Sequence, residues 1–94
     1  MKITIRLAKA LTNFTNSVKV IDFELDEEND LANLIDTLER KYPGLKKALC
    51  NMEFEIKDSI NIYVNGDNVR YLKGLKTILH DGDQINIVPA AVAG

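Results

Sequence analysis

The sequence predicts an α+β fold in which a mixed sheet wraps around one main helix. Near both ends of the chain, apolar and polar residues alternate, which is the pattern of strands with one buried face. Between these runs, one stretch repeats apolar residues at the spacing of a helix with one buried side. The chain has 94 residues, enough to bury a core without disulfides or metals. We therefore expect a single domain over residues 1–94, with residues 89–94 as a C-terminal tail.

Two strands open the chain. In Met1–Leu7, isoleucine and leucine alternate with lysine, threonine and arginine, so one face of this strand belongs in the core. Ala8–Ser17 is less regular and ends in turn-forming residues. Val18–Leu25 alternates again and predicts a second strand. We expect the two strands to pair as a hairpin.

The main helix follows an acidic connection. Asp30 or Asn29 is a suitable N-cap, and the carboxylates nearby favour a helix N-terminus. Pro43 and Gly44 end the helix because proline cannot continue it, and Leu45–Leu49 is predicted as one further short helical turn. The apolar stripe of the helix consists of Leu31, Leu34, Ile35, Leu38 and Tyr42.

The segment that follows, Cys50–Ser59, leaves two interpretations open. Its apolar residues Met52, Phe54 and Ile56 alternate with charged residues, which is compatible with a short edge strand. The segment is also compatible with a packed loop, because it is short and lies between a helical turn and the next strand.

The last third of the chain begins with a clear strand. Ile60–Val64 alternates apolar and polar residues, and the pair Asn65-Gly66 behind it suits the positive φ angles of a hairpin turn. A short helical turn is then indicated by the spacing of Leu72, Leu75 and Ile78.

A second turn, Asp81-Gly82-Asp83, leads into the final strand, Gln84–Val88. Pro89 is expected to end the ladder because proline has no N–H to donate. This order of elements is a β-grasp arrangement, in which the first and last strands pair in parallel at the centre of the sheet. The helix stripe is expected to be buried against Ile3, Ile5, Ile62, Ile85 and Ile87.

The chain ends in small apolar residues, Ala90–Gly94. Five residues can extend about 17 Å, which is long enough to thread a channel in another protein. A terminal glycine has no Cβ, so its carboxylate can enter a narrow passage. The alternative is a disordered end without function.

The last third resembles the MoaD/ThiS family of ubiquitin-like sulfur-carrier proteins, and it is most similar to the CysO type. The likeness extends more weakly over the N-terminal half. One departure concerns the end: family members typically finish in Gly-Gly, whereas this chain finishes in Ala93-Gly94. Either a further glycine follows in the native protein or the penultimate position accepts alanine. The residues that carry the resemblance are Asn61–Asn65, Asp67–Tyr71, Gly74, Leu75, Asp81–Asp83 and the tail from Pro89 to Gly94.

The resemblance implies a ubiquitin-like β-grasp fold with a flexible C-terminal tail, and a carrier instead of an enzyme. Its reactive group would be the terminal carboxylate of Gly94. An E1-like adenylating enzyme of the MoeB/ThiF type would activate this carboxylate with ATP and convert it to a thiocarboxylate, while the carrier itself binds no cofactor. The sulfur acceptor would be a cysteine synthase, the large subunit of molybdopterin synthase, or an enzyme of thiamin synthesis.

Two other functions stay open. The first is a closely related ubiquitin-like protein modifier that is joined to lysine side chains through its terminal glycine. The second is a β-grasp interaction module whose tail is inert. The acceptor and the oligomeric state are left open by the sequence, although the CysO-like segment Asp67–Tyr71 favours cysteine biosynthesis over molybdopterin biosynthesis.

A carrier needs a surface on which its partners dock. Val88 faces away from the core side of the last strand, and Tyr63 faces away from the core side of its own strand. If the two are neighbours, they form an apolar patch beside the tail. The alternative is that scattered exposed apolar residues carry no function. The predicted docking residues are Tyr63, Val88, Pro89, Ala90, Ala91, Val92 and Ala93.

Composition argues against several other functions. The formal net charge is −2, so no basic field attracts nucleic acid or an anionic membrane. The sequence contains no apolar run long enough to span a bilayer, and its beginning does not have the pattern of a signal peptide. We therefore expect a cytoplasmic protein without nucleic-acid or membrane partners.

Two single residues need an interpretation. His80 is the only histidine, and no second ligand is spaced to join it, so we predict no metal site and a solvated His80. Cys50 is the only cysteine and cannot form an internal disulfide, which fits a reducing cytosol. The favoured interpretation of Cys50 is a buried, inert thiol, and a role in sulfur relay is the alternative.

Overall fold

The computed structural model describes residues 1–26 and 29–90, and in this part of the chain it contains a five-stranded mixed sheet and one long helix. The strands are β1 (Lys2–Leu7), β2 (Val20–Glu24), β3 (Ile60–Val64), β4 (Asp67–Asn68) and β5 (Gln84–Pro89). Their order in the sheet is β2-β1-β5-β3-β4. The α+β prediction is therefore confirmed.

The strand pairing follows the predicted arrangement. β1 and β2 form an antiparallel hairpin, and β1 pairs in parallel with β5 in the interior of the sheet. β3 pairs antiparallel with β5 and with β4. The β3–β4 turn is formed by Asn65 and Gly66, whose φ angles of 51° and 89° are those of the predicted tight hairpin turn.

The main helix, α1, spans Leu31–Lys41, and a short second helix, α2, spans Leu45–Leu49. The N-cap of α1 is Asp30, whose carboxylate accepts a hydrogen bond from the backbone N–H of Asn33 at 2.9 Å. Tyr42 is the C-cap of α1, immediately before Pro43. Both helix boundaries and the second helical turn are thus as predicted.

The hydrophobic core forms where α1 packs on the concave face of the sheet. Burial of this stripe removes large aliphatic side chains from water, which is the main force that holds helix and sheet together. The predicted members of the core are all buried in one cluster: Leu31, Leu34, Ile35 and Leu38 from α1, with Ile3, Ile5, Ile62, Ile85 and Ile87 from the strands.

The irregular segments contain 3₁₀ helices that the sequence did not predict in this form. Lys9–Phe14 is one such helix in the connection between β1 and β2. The single turn predicted from Leu72, Leu75 and Ile78 is wrong in detail: the structure has two short 3₁₀ helices, Val69–Tyr71 and Gly74–Lys76. Leu72 and Ile78 are exposed, and Leu79 is buried instead. The positive φ of Gly74 interrupts the helical spacing between them.

The segment Cys50–Ser59 forms a loop, so the edge-strand alternative is wrong. Cys50 and Ile56 make one isolated bridge, and the chain between them turns back on itself. The alternation of Met52 and Phe54 with glutamates does not reflect burial, because both apolar side chains are exposed. The packed-loop alternative is right for Cys50 and Ile56, which belong to the core or pack against it, and wrong for Met52 and Phe54.

The expectation that Pro89 ends the ladder is also wrong. Pro89 is the last residue of β5 and lies opposite Ile60 of β3. The next amide, that of Ala90, donates to the carbonyl of Ser59 at 2.8 Å. Alternate amides of an antiparallel strand face the neighbour, so Pro89 occupies a position whose amide would point away from β3. The pairing therefore continues past it.

The tail beyond Ala90, residues 91–94, lies outside the described residues. The prediction that it is flexible, and that Ala91, Val92, Ala93 and Gly94 act on partners, therefore stays a prediction.

Glu39 links the two helices electrostatically, and this gives a pH-dependent prediction. Its carboxylate accepts hydrogen bonds from the backbone N–H of Gly44 and of Lys46, both at 2.9 Å. These two bonds lower the pKa of Glu39 below its ordinary value of 4.5. A carboxyl group with a lowered folded-state pKa stabilises the fold above its unfolded pKa, and this contribution is lost as pH falls through the folded pKa. We expect Glu39→Gln to lower stability at neutral pH and to show a smaller loss on acidification than the parent.

The measurement is urea unfolding of both proteins at neutral pH and at about pH 3, where carboxyl groups become protonated. Glu53→Gln is the matched control, because Glu53 is exposed and lies in the loop. Parallel loss of stability in parent and Glu39→Gln on acidification would contradict this role of Glu39.

Candidate functional site

The candidate site is the point where the chain leaves the sheet toward its C-terminus. Pro89 and Ala90 are half-buried, and the hydrogen bond from Ala90 to Ser59 is the last one described along the chain. These two residues, Pro89 and Ala90, are the tail root, and the hydrogen bond fixes them beside the start of β3.

Arg70 holds the backbone that receives Ala90. Its guanidinium group donates two hydrogen bonds, one to the carbonyl of Lys57 at 2.6 Å and one to the carbonyl of Ile60 at 2.7 Å. Ser59, the acceptor for Ala90, lies between these two residues in the chain. The positively charged side chain therefore bridges the segment that anchors the tail.

The residues before Arg70 explain how it is placed. Asn68 is the N-cap of the 3₁₀ helix, and its side chain accepts from the backbone N–H of Arg70 at 3.0 Å. Val69 is fully buried and fixes this turn to the core. In the sequence, Asn68-Val69-Arg70 stands out only as part of the family resemblance. The role of Arg70 was missed because it depends on carbonyl groups ten and thirteen residues away.

The outer face of the sheet carries the two predicted docking side chains. Tyr63 lies opposite Asn86, and Val88 lies opposite Asn61, so Tyr63 and Val88 are diagonal neighbours on one face. Such diagonal positions lie about 7–8 Å apart, within reach of an aromatic side chain. Both residues are half-buried. The structure thus brings them together as expected, while their role in docking stays a prediction.

This outer face is more polar than the predicted apolar patch. The asparagines opposite Tyr63 and Val88 form the other diagonal of the same four-residue group, so half of it is polar. Across the strands from Tyr63, the next residue is Asn86 of β5, followed by Arg6 of β1 and Val20 of β2. Val20 is half-exposed and was not among the predicted docking residues. The face is therefore a mixture of apolar, amide and cationic groups.

At the opposite end of β5, the Asp81-Gly82-Asp83 turn has a structural role. Asp83 is buried, and its carboxylate accepts from the side-chain amide of Asn65 and from the backbone N–H of His80, both at 2.8 Å. The His80 side chain is exposed, as expected for a solvated turn residue. Within residues 1–26 and 29–90, no group of three or more metal-binding side chains comes together.

Cys50 is buried in the core. Burial raises the pKa of its thiol above the ordinary value, because the thiolate would lose its hydration, and nearby Lys46 offsets this only in part. A protonated, buried thiol is a poor nucleophile. These properties favour the inert interpretation of Cys50 over sulfur relay.

The described part of the chain contains no helix with the length and apolar character needed to cross a bilayer.

The strand order and the single long helix define a β-grasp protein, and its last strand, β5, ends at Pro89. The sequence pattern of the ThiS family matches residues 10–94, and the chain belongs to this family. The resemblance stated from the sequence is thereby confirmed.

Individual relatives agree with this assignment. Over 96 residues that span both proteins completely, the chain is 31% identical to the sulfur carrier protein CysO of Mycobacterium tuberculosis. It is 32% identical over 76 residues to small archaeal modifier protein 3 of Haloferax volcanii, covering 81% of this chain and 82% of that one. The structure is similar to a chain of the BexX/CysO complex of Amycolatopsis orientalis, with a TM-score of 0.82, 30% identity and 93% of each chain covered. The ubiquitin-like β-grasp prediction is confirmed by this likeness.

Proposed function

We propose that this protein is a sulfur carrier whose terminal Gly94 carboxylate is converted to a thiocarboxylate by partner enzymes. The observation that carries the proposal is membership of the ThiS family together with full-length similarity to a protein named sulfur carrier CysO. The geometry of the tail root supports it, because Ala90 is fixed at the end of the interior strand β5 while four residues follow it. Four residues can reach about 13 Å from that point.

The proposed chemistry has two steps, both in the active site of an E1-like adenylating enzyme. First, a carboxylate oxygen of Gly94 attacks the α-phosphorus of ATP, and pyrophosphate leaves. Second, a sulfide ion attacks the activated carbonyl carbon, and AMP departs with the carboxylate oxygen. The product is a thiocarboxylate anion at the chain end. The ATP belongs to the partner, and the carrier supplies only the carboxylate and the means to deliver it.

The partners therefore fall into two kinds: an activating enzyme and an acceptor of the sulfur. The likeness to CysO favours an acceptor that makes cysteine, such as a cysteine synthase. A molybdopterin synthase large subunit is the second candidate, since another relative, 25% identical over 73 residues, is named a molybdopterin synthase sulfur carrier subunit. The proposal places the protein in the cytoplasm.

A second candidate function is supported by the relative named small archaeal modifier protein 3. In that case the activated Gly94 carbonyl is transferred to the ε-amino group of a lysine, and an isopeptide bond forms. The two functions share the adenylation step and differ in the nucleophile that follows. They are therefore distinguished by the product that accumulates in the presence of sulfide and of lysine-bearing proteins.

The test is conversion of the purified protein by a panel of E1-like adenylating enzymes with ATP and sulfide. Intact-mass spectrometry is expected to show one oxygen replaced by one sulfur, and fragmentation should locate the sulfur at the C-terminus. Omission of ATP should prevent the change. Absence of any conversion across the panel, or sulfur on Cys50, would contradict the carrier function. Isopeptide products alone would support the modifier function.

The outer face of the sheet gives a prediction about partner docking. Val88→Asp is expected to raise the KM of the activating enzyme for the carrier at least tenfold, because a carboxylate at the docking face loses hydration when the partner covers it. The melting temperature should stay close to that of the parent, since Val88 is only half-buried and points away from the core.

Gln84→Asp is the matched control, because Gln84 lies on the same face of the same strand at the end away from the tail. An equal change of KM in both variants would indicate a general charge effect. An unchanged KM in Val88→Asp would remove Val88 from the docking surface.

A further inference from the structure

The loop between α2 and β3 exposes two large apolar side chains. Met52 is 98% exposed and Phe54 is 62% exposed, the two highest values among the aliphatic and phenylalanine side chains that the structure leaves in contact with solvent. Single exposed apolar residues are common and carry no argument. The backbone and surroundings of this pair, however, show that it is held in place.

The loop is closed by its own hydrogen bonds. The side-chain oxygen of Asn51 accepts from the backbone N–H of Glu53 at 2.9 Å and of Glu55 at 3.0 Å. The backbone N–H of Asn51 donates to the carbonyl of Glu55 at 2.8 Å. A loop so closed fixes the backbone that carries Met52 and Phe54, so that a partner would order little additional backbone on contact.

Phe54 also has an unfavourable backbone conformation. Its φ angle is +59°, in the left-handed region that bulky residues rarely adopt. Such a conformation costs of order 1–3 kcal/mol and persists at sites where the surroundings require it. A glycine or asparagine would suit the turn better. Folding alone does not explain an exposed aromatic ring at this position, and we therefore looked for a binding role.

An apolar cavity of about 240 Å³ opens beside the Phe54 ring. Its walls come from α1, α2, the Phe54 loop and the 3₁₀ helix Gly74–Lys76. Most of the lining is apolar, and its two charged members, Asp36 and Lys46, form an ion pair with each other. Lys46 lies above the ring, with its ammonium nitrogen 4.2 Å from the ring centroid. The cavity has room for one bulky aliphatic or aromatic side chain, and Phe54 forms part of its rim.

A wider cleft of about 1020 Å³ continues from Phe54 toward the tail root. Its charged lining residues are four basic ones, Lys57, Arg70, Lys73 and Lys76, and two acidic ones, Glu55 and Asp58. The lining of the cleft therefore has two more basic than acidic side chains, although the whole protein has a net charge of −2. Arg70 is occupied with backbone carbonyls, whereas Lys73 and Lys76 are exposed to solvent.

We propose that this surface, the Phe54 cleft, binds an acidic segment of a partner protein that carries one bulky apolar side chain. The apolar side chain enters the cavity beside Phe54, and carboxylates on either side of it contact Lys57, Lys73 and Lys76. Opposite charge favours such a segment over a basic one and speeds its association. The exposed aromatic ring and its cavity supply the central anchor that protein interfaces use.

The position of the cleft connects it with the proposed function. Ser59 lines the cleft, and its carbonyl accepts the hydrogen bond from Ala90 at the tail root. A partner that holds the tail can therefore reach the cleft as well. This link to an activating or acceptor enzyme rests on the proposed carrier function, whereas the affinity of the cleft for acidic segments does not.

The test uses the full chain and synthetic peptides followed by NMR titration. Each peptide has a central leucine, phenylalanine or glycine flanked by two glutamates on each side, and a second set has lysines in place of the glutamates. The acidic peptides with leucine or phenylalanine are expected to shift the amide signals of Cys50, Phe54, Leu75 and Lys76. The glycine peptide and the lysine peptides should bind at least tenfold more weakly.

Two variants separate binding from folding. Phe54→Gly should weaken peptide binding at least tenfold while the melting temperature stays close to that of the parent, because glycine adopts a φ of +59° without strain. The double variant Lys73→Glu and Lys76→Glu should weaken binding at least tenfold at low salt, and less as the ionic strength rises. Lys2→Glu with Lys19→Glu is the matched control outside the cleft.

Three outcomes would overturn the proposal: no binding of any acidic peptide at millimolar concentration, equal binding of the glycine peptide, or unchanged binding to Phe54→Gly. Deletion of residues 91–94 should leave peptide affinity unchanged. Failure of the peptide experiment is thus separate from failure of thiocarboxylate formation, since one depends on the cleft and the other on Gly94.

Discussion

Deletion of Gly94 is expected to abolish thiocarboxylate formation completely and to leave the free energy of unfolding unchanged. The deletion moves the reactive carboxylate back by about 3.3 Å and places a Cβ beside it. An active site that accepts a narrow, extended chain end would then miss the carboxylate. We expect the core to be untouched, because the last buried side chain within residues 1–26 and 29–90 is that of Ile87. Intact-mass spectrometry and urea unfolding measure the two effects.

Ala93→Gly is the matched control for this deletion. It keeps the length of the chain and produces the Gly-Gly ending typical of the family that the sequence resembles. We expect it to be converted at least as fast as the parent. Continued conversion of the variant without Gly94 would show that the position of the chain end does not matter, and the carrier mechanism would be wrong in its central step.

The second large effect concerns the core. Leu34→Ala is expected to destabilise the fold by about 2–5 kcal/mol, because the side chain is fully buried between α1 and the sheet and its removal leaves a cavity. Urea unfolding at neutral pH gives the change in free energy.

The same substitution at an exposed leucine serves as the control. Leu72 is 46% exposed, so Leu72→Ala should cost only about 0.5 kcal/mol. A comparable loss in both variants would mean that α1 does not form the centre of the core.

Much of this fold could be predicted because local patterns report burial directly. In β1, β3 and β5 the isoleucines alternate with polar residues, and each strand has one face against α1. The N-cap Asp30 and the turn Asn65-Gly66 were predicted for a similar reason: the residue types satisfy a requirement of their own backbone.

Other features depend on distant parts of the chain and could not be predicted. Met52 and Phe54 alternate with charged residues as they would in a strand, yet no neighbouring strand is available to cover them. Whether Pro89 interrupts the ladder depends on which side of β5 its missing amide would face, and this is fixed by the register with β3. The local sequence shows neither whether a strand covers Met52 and Phe54 nor which neighbour the Pro89 position faces.

In the candidate site, too, the features set by local alternation were predicted and those set by distant residues were not. The outward direction of Tyr63 and Val88 follows from alternation and was predicted, whereas their polar surroundings depend on which residues of β1 and β3 lie opposite. The role of Arg70 depends on its contact with the carbonyls of Lys57 and Ile60. An arginine in a short turn gives no signal of such a contact.

The position of β5 between β1 and β3 also determines how the molecule responds to mechanical force. A partner that grips the tail pulls along the axis of β5, and this load is parallel to a strand bonded on both sides. The interstrand hydrogen bonds then resist in shear, so that many must break together, whereas a strand peeled from an edge loses them one at a time. We therefore expect the domain to withstand a load applied at its C-terminal end without unravelling.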